Sequence, residues 1–189
     1  MTPLRLLQAM VLSAAISLQA YAQVIEVKQF ALEAIEEGHV LNADFEFELT
    51  GRLEDALNSG VALFFAIEFE LVRPRWYWFD EKTASARIDV RLSYNPLLRQ
   101  YRLSTGSLHR NFSAFTDAFN TLTRIRSWLV LERDKIQPDT PYIAAVRMRL
   151  DATQLPRPFQ LSAITDRELS LASSWKRMPF LLEAEHSPR

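Results

Sequence analysis

The sequence predicts a mainly β protein, an antiparallel two-sheet sandwich of immunoglobulin-like or related type with two short crossover helices. Between residues 24 and 150, apolar residues recur at every second position in about seven or eight segments, the period of strands that bury one face. Two other segments show apolar residues at three- and four-residue spacing, as in amphipathic helices. So many half-buried strands favour two packed sheets. The alternative is one curved antiparallel sheet wrapped around the second helix.

The first two strands are predicted as a hairpin around residues 36–39 (EEGH). Residues 24–35 alternate weakly, whereas residues 39–49 alternate cleanly between apolar odd positions and charged even ones. The inward residues of the second strand are Leu41, Ala43, Phe45, Phe47 and Leu49. Residues 50–60 (TGRLEDALNSG) then predict a short helix, because Leu53, Ala56 and Leu57 have helical spacing.

Three more strands are predicted at residues 61–72, 85–94 and 97–106, the last two joined by a turn at Asn95-Pro96. Residues 112–129 contain the second helix, whose apolar residues are Phe115, Phe119, Leu122 and Ile125. Ser113 or Thr116 is expected to cap its start. Its end is ambiguous, because residues 128–131 also suit a short strand.

The last clear strand is predicted at residues 142–151, after a turn at residues 136–140. The prolines of residues 155–158 (LPRP) cannot continue a central strand. Residues 159–164 are interpreted as an edge strand and residues 182–189 as a disordered tail. A single domain is therefore expected over residues 23–181.

The N-terminus has the features of a secretory signal peptide at residues 1–22. Arg5 precedes an apolar stretch of 13 residues, 6–18, and Ala20-Tyr21-Ala22 predicts cleavage after Ala22. That stretch is shorter than the roughly 20 residues of a membrane-spanning helix; the alternative is an uncleaved anchor. The chain has no cysteine, which excludes a lipoprotein anchor and disulfides. These features favour a soluble protein of a Gram-negative periplasm.

The charged residues argue against one class of partner and predict which strands are neighbours. The 22 basic and 23 acidic residues nearly cancel, which argues against nucleic-acid binding. The second and third strands expose Glu46, Glu48, Glu68 and Glu70, and two later strands expose Arg87, Arg91, Arg147 and Arg149. Because like charges opposite each other are unfavourable, acidic strands are expected beside basic ones.

Catalytic and metal-binding patterns are not found in the sequence. The histidines, His39 in a turn, His109 and His186, have no metal-ligand spacing. No nucleophile elbow or glycine-rich phosphate loop is present, and we predict no catalytic residue, metal or cofactor. Glu46/Glu48 and Glu68/Glu70 have a spacing that a glycosidase could use. These pairs are predicted to be equally solvated, so they are interpreted as surface charge.

Residues 73–80 (RPRWYWFD) form the candidate interaction surface: Arg73, Arg75, Trp76, Tyr77 and Trp78. The apolar positions change from odd to even across Arg73-Pro74-Arg75, which predicts a bulge or bend. The favoured interpretation is that Trp76 and Trp78 cover one end of the core. The alternative is an exposed patch of aromatic residues and arginine, a composition enriched at interface hot spots.

Several segments together resemble a family of uncharacterised exported proteobacterial proteins, a domain of unknown function. They are the signal peptide, residues 53–71, residues 73–81 (RPRWYWFDE), the hairpin at 92–106, the helix ending in RIRSW, and residues 155–163. The resemblance implies a periplasmic setting. It also implies association with a sensor system, because such proteins are encoded beside a nitrogen-regulation-type sensor kinase and its response regulator. It supplies no catalytic residues.

Two functional hypotheses follow. The first is a periplasmic interaction module without catalysis, whose partner is an envelope or membrane protein. The second is a hydrolase of envelope carbohydrate that uses carboxylates assembled by the fold. A third alternative, a carrier of an apolar ligand, requires an enclosed cavity between the sheets.

Overall fold

The computed structural model describes residues 25–77, 79–157, 159–160, 169 and 171–182. The predicted signal peptide at 1–22 and tail residues 183–189 lie outside these residues, and both stay predictions. Two antiparallel sheets account for all the strands of the described residues.

The small sheet contains β1 (Glu26–Ile35), β2 (Gly38–Glu46) and β7 (Arg124–Glu132) in the order β1-β2-β7. The large sheet contains β3 (Leu63–Arg73), β4 (Glu81–Asn95), β5 (Gln100–Thr105), β6 (Leu108–Phe112), β8 (Pro141–Leu150) and β9 (Lys176–Leu181). Its order is β6-β5-β4-β3-β8-β9. Short 3-10 helices follow β7 at Arg133–Lys135 and β8 at Ala152–Gln154.

Both α-helices lie where the chain crosses from one sheet to the other. Helix α1 (Gly51–Asn58) connects β2 with β3, and α2 (Phe115–Leu122) connects β6 with β7. The predicted fold class, two antiparallel sheets with two short crossover helices, is therefore confirmed. A single hydrophobic core joins residues of both sheets and both helices.

The alternation correctly identifies the buried faces of the central strands. The five odd-numbered residues of β3 from Leu63 to Leu71 are completely buried. The five residues predicted to face inward between Leu41 and Leu49 are also buried, and so are the even-numbered residues of β8 from Tyr142 to Leu150. The period of two in the sequence therefore predicts both that these segments are strands and which face of each strand packs against the core.

The predicted start of the second helix is wrong, and at its end the alternative of a strand at residues 128–131 is confirmed, because these residues lie in β7. Ala114 is the N-cap residue, and no side-chain hydrogen bond caps the helix, so neither Ser113 nor Thr116 has the expected role. The helix ends at Leu122, and Ile125 lies in β7 opposite Ala43. The backbone N–H of Phe45 donates to Thr123 O at 2.9 Å, so hydrogen bonding to the small sheet replaces further helical turns.

Two strands were not predicted. Strand β6 has four exposed residues followed by one partly buried residue, so it shows no alternation. Strand β9 contains Pro179 and lies at the edge of the large sheet, where a missing N–H is tolerated. The edge strand predicted at 159–164 is wrong at Phe159 and Gln160, which are helical; residues 161–164 lie outside the described residues.

The charge-pairing prediction is confirmed for β3 but does not extend to β2. Strand β3 lies between β4 and β8, so Glu68 is opposite Arg87 on one side and Arg147 on the other. In the small sheet, Glu46 lies directly opposite Glu26. Lys28 contacts both carboxylates, at 2.9 Å from Glu26 and 2.6 Å from Glu46. The repulsion of this pair is thus offset by a shared cation.

Candidate functional site

The predicted interaction surface lies on the loop between β3 and β4. Arg73 is the last residue of β3 to pair with β4, opposite Glu81. The register shifts between Leu71 and Val72, which pair with Ala84 and Lys82, so Thr83 is the extra residue. The predicted bulge is therefore present near this loop, but on β4 and not at Arg73-Pro74-Arg75.

Trp76 does not cover the core, contrary to the favoured interpretation. Its relative exposure is 95%, and those of Tyr77 and Phe79 are 66% and 84%. The odd-even pattern carries no information here, because these residues follow the end of β3 at Arg73 and belong to the loop. Trp78 lies outside the described residues.

We call Arg73, Arg75, Trp76, Tyr77 and Phe79 the aromatic tip. The rings of Trp76 and Tyr77 meet edge to face, with centroids 5.2 Å apart. Arg75 forms an ion pair with Glu81, which connects the loop to the start of β4. The aromatic tip thus exposes three large rings beside two arginines, a composition favoured in the centres of protein interfaces.

Next to the aromatic tip, the first half of β4 pairs on one side only among the described residues. Strand β4 has 15 residues and β5 only 6, so β5 pairs with β4 from Val90 to Asn95. Residues 81–89 pair only with β3 among the described residues. A cavity of about 430 Å³ lies between residues 83–86 of β4 and residues 129–132 of β7. We call this cavity the edge groove.

An ion-pair network occupies the outer face of the large sheet around Glu68. Its carboxylate accepts hydrogen bonds from Arg147 Nε at 2.5 Å and from Arg149 Nη2 at 3.2 Å. Arg147 also lies over the Trp175 ring, 4.5 Å from its centroid. Burial alone would raise the pKa of the Glu68 carboxyl, but the two arginines outweigh burial and lower it.

Asp151 extends this network and is itself buried. Arg87 Nη2 donates to its carboxylate at 3.0 Å, and Thr153 Oγ1 donates at 2.6 Å. Burial opposes ionisation, but hydrogen bonds from Thr153, Gln154 and Arg87 lower the pKa of Asp151 to about 2. Both carboxylates are therefore ionised partners of arginine, and their arrangement is that of a structural network.

Two acidic residues share a cavity elsewhere, on the small sheet. Asp44 and Glu46 line a space of about 650 Å³. Asp44 accepts from Gln29 Nε2 at 2.8 Å and from Arg126, and these interactions lower its pKa. A glycosidase acid requires a raised pKa. The three described carboxyls with shifted pKa values, those of Asp44, Glu68 and Asp151, all shift downward.

His39 lies in β2 and not in the turn predicted for it. It is 7% exposed, at the start of β2, and its ring meets Phe180 edge to face at a centroid distance of 5.3 Å. Nδ1 is buried and has no hydrogen-bond partner among the residues that the structure describes. Burial, with a smaller contribution from Arg133, lowers the pKa of this imidazole. His109 is exposed on β6, and His186 lies outside the described residues.

Within the described ranges, no group of three or more His, Cys, Asp or Glu residues is placed to hold a metal ion. No helix in that part of the chain is long and apolar enough to cross a membrane.

A family model described as a domain of unknown function (DUF4390) matches residues 22–179. The chain belongs to this family. No curated protein and no solved structure matches the chain. The predicted resemblance is confirmed as membership of a family of unknown function. The family match covers the aromatic tip, the edge groove and the ion-pair network, but it gives no role to any of them.

Proposed function

We propose that this protein is an exported, periplasmic binding module that acts without catalysis and contacts an envelope or membrane protein through its aromatic tip. The observation that carries the proposal is the exposure of Trp76, 95%, on a loop joined to β4 by the Arg75–Glu81 ion pair. Exposed aromatic side chains grouped in one patch are typical of interaction sites.

The composition of the aromatic tip indicates how it would bind. Trp76 and Tyr77 offer large apolar areas with few rotatable bonds, so their immobilisation costs little entropy. Arg73 is exposed beside them and supplies a charge that can pair with an acidic group of the partner. Such side chains near the centre of an interface contribute about 2 kcal/mol or more each.

The setting of this function rests on the sequence. The charged, apolar and small-residue regions of residues 1–22 support export. The family resemblance supports association with an envelope sensor system.

Sequencing the N-terminus of protein recovered from the periplasm should find Gln23 as the first residue. Recovery of the protein only from the cytoplasm would contradict export.

The carbohydrate hydrolase is less well supported. Its best site would be the cavity of Asp44 and Glu46, where Lys28 pairs with Glu46 and Arg126 with Asp44. Asp44 is the more buried of the two, and its pKa is lowered, so its carboxyl group is ionised. A general acid must instead be protonated before it can donate a proton to the leaving group.

Site-specific photocrosslinking in cells tests the proposed surface. A photoreactive amino acid at Trp76 should give a defined protein adduct, and Arg73→Ala should reduce that adduct. The matched control is the same amino acid at Leu97, which is 94% exposed at the opposite end of β4. Equal adducts at both positions, or no adduct at Trp76, would show that the aromatic tip is not the interaction surface.

A further inference from the structure

The register of the large sheet shows which backbone groups point out of the open edge of β4. Asp151 N donates to Phe64 O at 2.7 Å, so the peptide groups of Phe64 face β8. Hydrogen-bonding direction alternates along a strand, and Phe65, which pairs with Val90, therefore faces β4. It follows that even-numbered residues of β4 from Ala84 onward bond to β3.

The odd-numbered residues of the same segment consequently direct their backbone groups away from β3. Ser85, Arg87 and Asp89 each present one N–H donor and one C=O acceptor to the open edge. Arg91, the next in this series, pairs with Ser104 of β5. From Asp89 back towards Glu81, no described strand pairs with β4 on the side where β5 pairs with Val90. A strand added there would be collinear with β5.

The side chains around the edge groove leave room for another chain. Residues 83–86 read Thr-Ala-Ser-Ala, whereas exposed edges are often protected by lysine or proline. On the opposite wall, Leu129 is 43% exposed, and Val130 and Leu131 are buried. Glu132 and Lys135 pair with each other at 3.6 Å. The groove thus combines one exposed leucine with small polar side chains and balanced charge, which favours an uncharged occupant.

We propose that the edge groove binds an isolated, extended and uncharged segment of a partner polypeptide, which adds a strand antiparallel to β4. Its backbone would bond to Ser85, Arg87 and Asp89, and its inward side chains would pack against Leu129 of β7. This recognition mode takes affinity from main-chain hydrogen bonds and specificity from alternate side chains. The cavity volume, about 430 Å³, is within the range of ligand sites.

An isolated segment fits the groove better than a second copy of this chain. Two β4 edges that pair antiparallel are related by a two-fold axis perpendicular to the sheet. Each copy would then place its own β7 on the same side of the joined sheet. Because β7 already lines the groove, the two β7 strands would compete for the space above the paired edges. A segment without a sheet of its own avoids this conflict.

The test uses the mature protein and a capped heptapeptide of alternating threonine and valine, followed by amide NMR. The amide signals of Ser85, Arg87 and Asp89 should shift on titration and become protected from hydrogen exchange. A peptide that is N-methylated at every residue should bind at least about tenfold more weakly, because it lacks backbone donors along both edges.

Proline variants separate the groove from other edges. Ser85→Pro removes a donor that faces the groove and should weaken peptide binding by about tenfold or more. His109→Pro is the matched control, because the same alternation directs the His109 N–H outward on the edge strand β6; it should retain binding.

The groove does not depend on the role of the aromatic tip, so Trp76→Ala should also retain peptide binding. No shift of the three amides at millimolar peptide, or equal binding of the N-methylated peptide, would overturn the proposal. Loss of binding in Trp76→Ala together with unchanged binding in Ser85→Pro would move the peptide site to the aromatic tip.

Discussion

Glu68 of β3 and Arg147 of β8 lie directly opposite each other, and Arg147 Nε donates to the Glu68 carboxylate at 2.5 Å. Glu68 is only 15% exposed and also pairs with Arg87 and Arg149. One carboxylate therefore neutralises cations from both neighbouring strands. Its removal would leave three arginines close together on one face of the sheet.

Glu68→Gln should lower the free energy of unfolding by about 2 kcal/mol, because hydrogen bonds to a charged group are lost and the arginines repel one another. Glu70→Gln is the matched control two residues along β3, where the carboxylate pairs with the exposed Lys82. It should change stability by less than about 0.5 kcal/mol. Urea unfolding measures both; equal effects would contradict a central role for Glu68.

The sequence predicts β3 and β8 well because their burial depends on a pattern that repeats over ten or eleven residues. Each has a neighbour on both sides, so regular alternation and regular pairing coincide. The two sheets could be predicted from this alternation, and the crossover helices from apolar residues at three- and four-residue spacing. Strands β6 and β9 could not, since β6 has little buried surface and β9 contains a proline.

The candidate site was only partly predictable. The composition of residues 73–79 identifies the aromatic tip, but the pattern that placed Trp76 in the core does not continue beyond the end of β3. The edge groove depends on the unequal lengths of β4 and β5 and on the approach of β7 from the other sheet. These are relations between segments distant in sequence, which local periodicity does not encode.

Trp76→Ala should change the free energy of unfolding by no more than about 0.5 kcal/mol, because the exposed side chain leaves no cavity. This corrects the destabilisation expected for a core residue. Phe69→Ala is the matched aromatic change on β3, where the side chain is completely buried, and should cost about 3–5 kcal/mol. Thermal and urea unfolding measure both. A large loss of stability in Trp76→Ala would mean that Trp76 packs against the folded chain.

The protein should become less stable as the pH falls below about 6.5, the ordinary pKa of histidine. Burial lowers the pKa of His39 in the folded state, so the unfolded chain binds a proton more readily between the lowered value and 6.5. Acidification in this range therefore favours unfolding, and the full contribution is present above pH 7. Thermal unfolding between pH 7.5 and 5.5 measures the effect.

His39→Phe should reduce this pH dependence, because it replaces a buried imidazole by an apolar ring that can still meet Phe180. The same change at His109, which is exposed on β6, should leave the pH dependence as it is. If acidification lowers the unfolding temperature of the native protein and of His39→Phe equally, groups other than His39 cause the pH dependence.

The two helix starts provide a matched pair of capping variants. Thr50 caps α1, accepting a hydrogen bond from Leu53 N at 3.3 Å, whereas Ala114 precedes α2 in an extended conformation and supplies no side-chain bond. Thr50→Ala should cost about 1 kcal/mol, and Ala114→Ser should gain about 0.5–1 kcal/mol, because its hydroxyl can accept an unpaired N–H of the first turn.

Urea unfolding of the two single variants and of the double variant checks these capping effects. The helices lie on different crossovers, so the two changes should add within about 0.5 kcal/mol. Ala114 is exposed, which leaves space for the added hydroxyl. No gain from Ala114→Ser would mean that the first turn of α2 is already satisfied by water, and that its position depends on packing of its buried residues, Ala118 and Leu122.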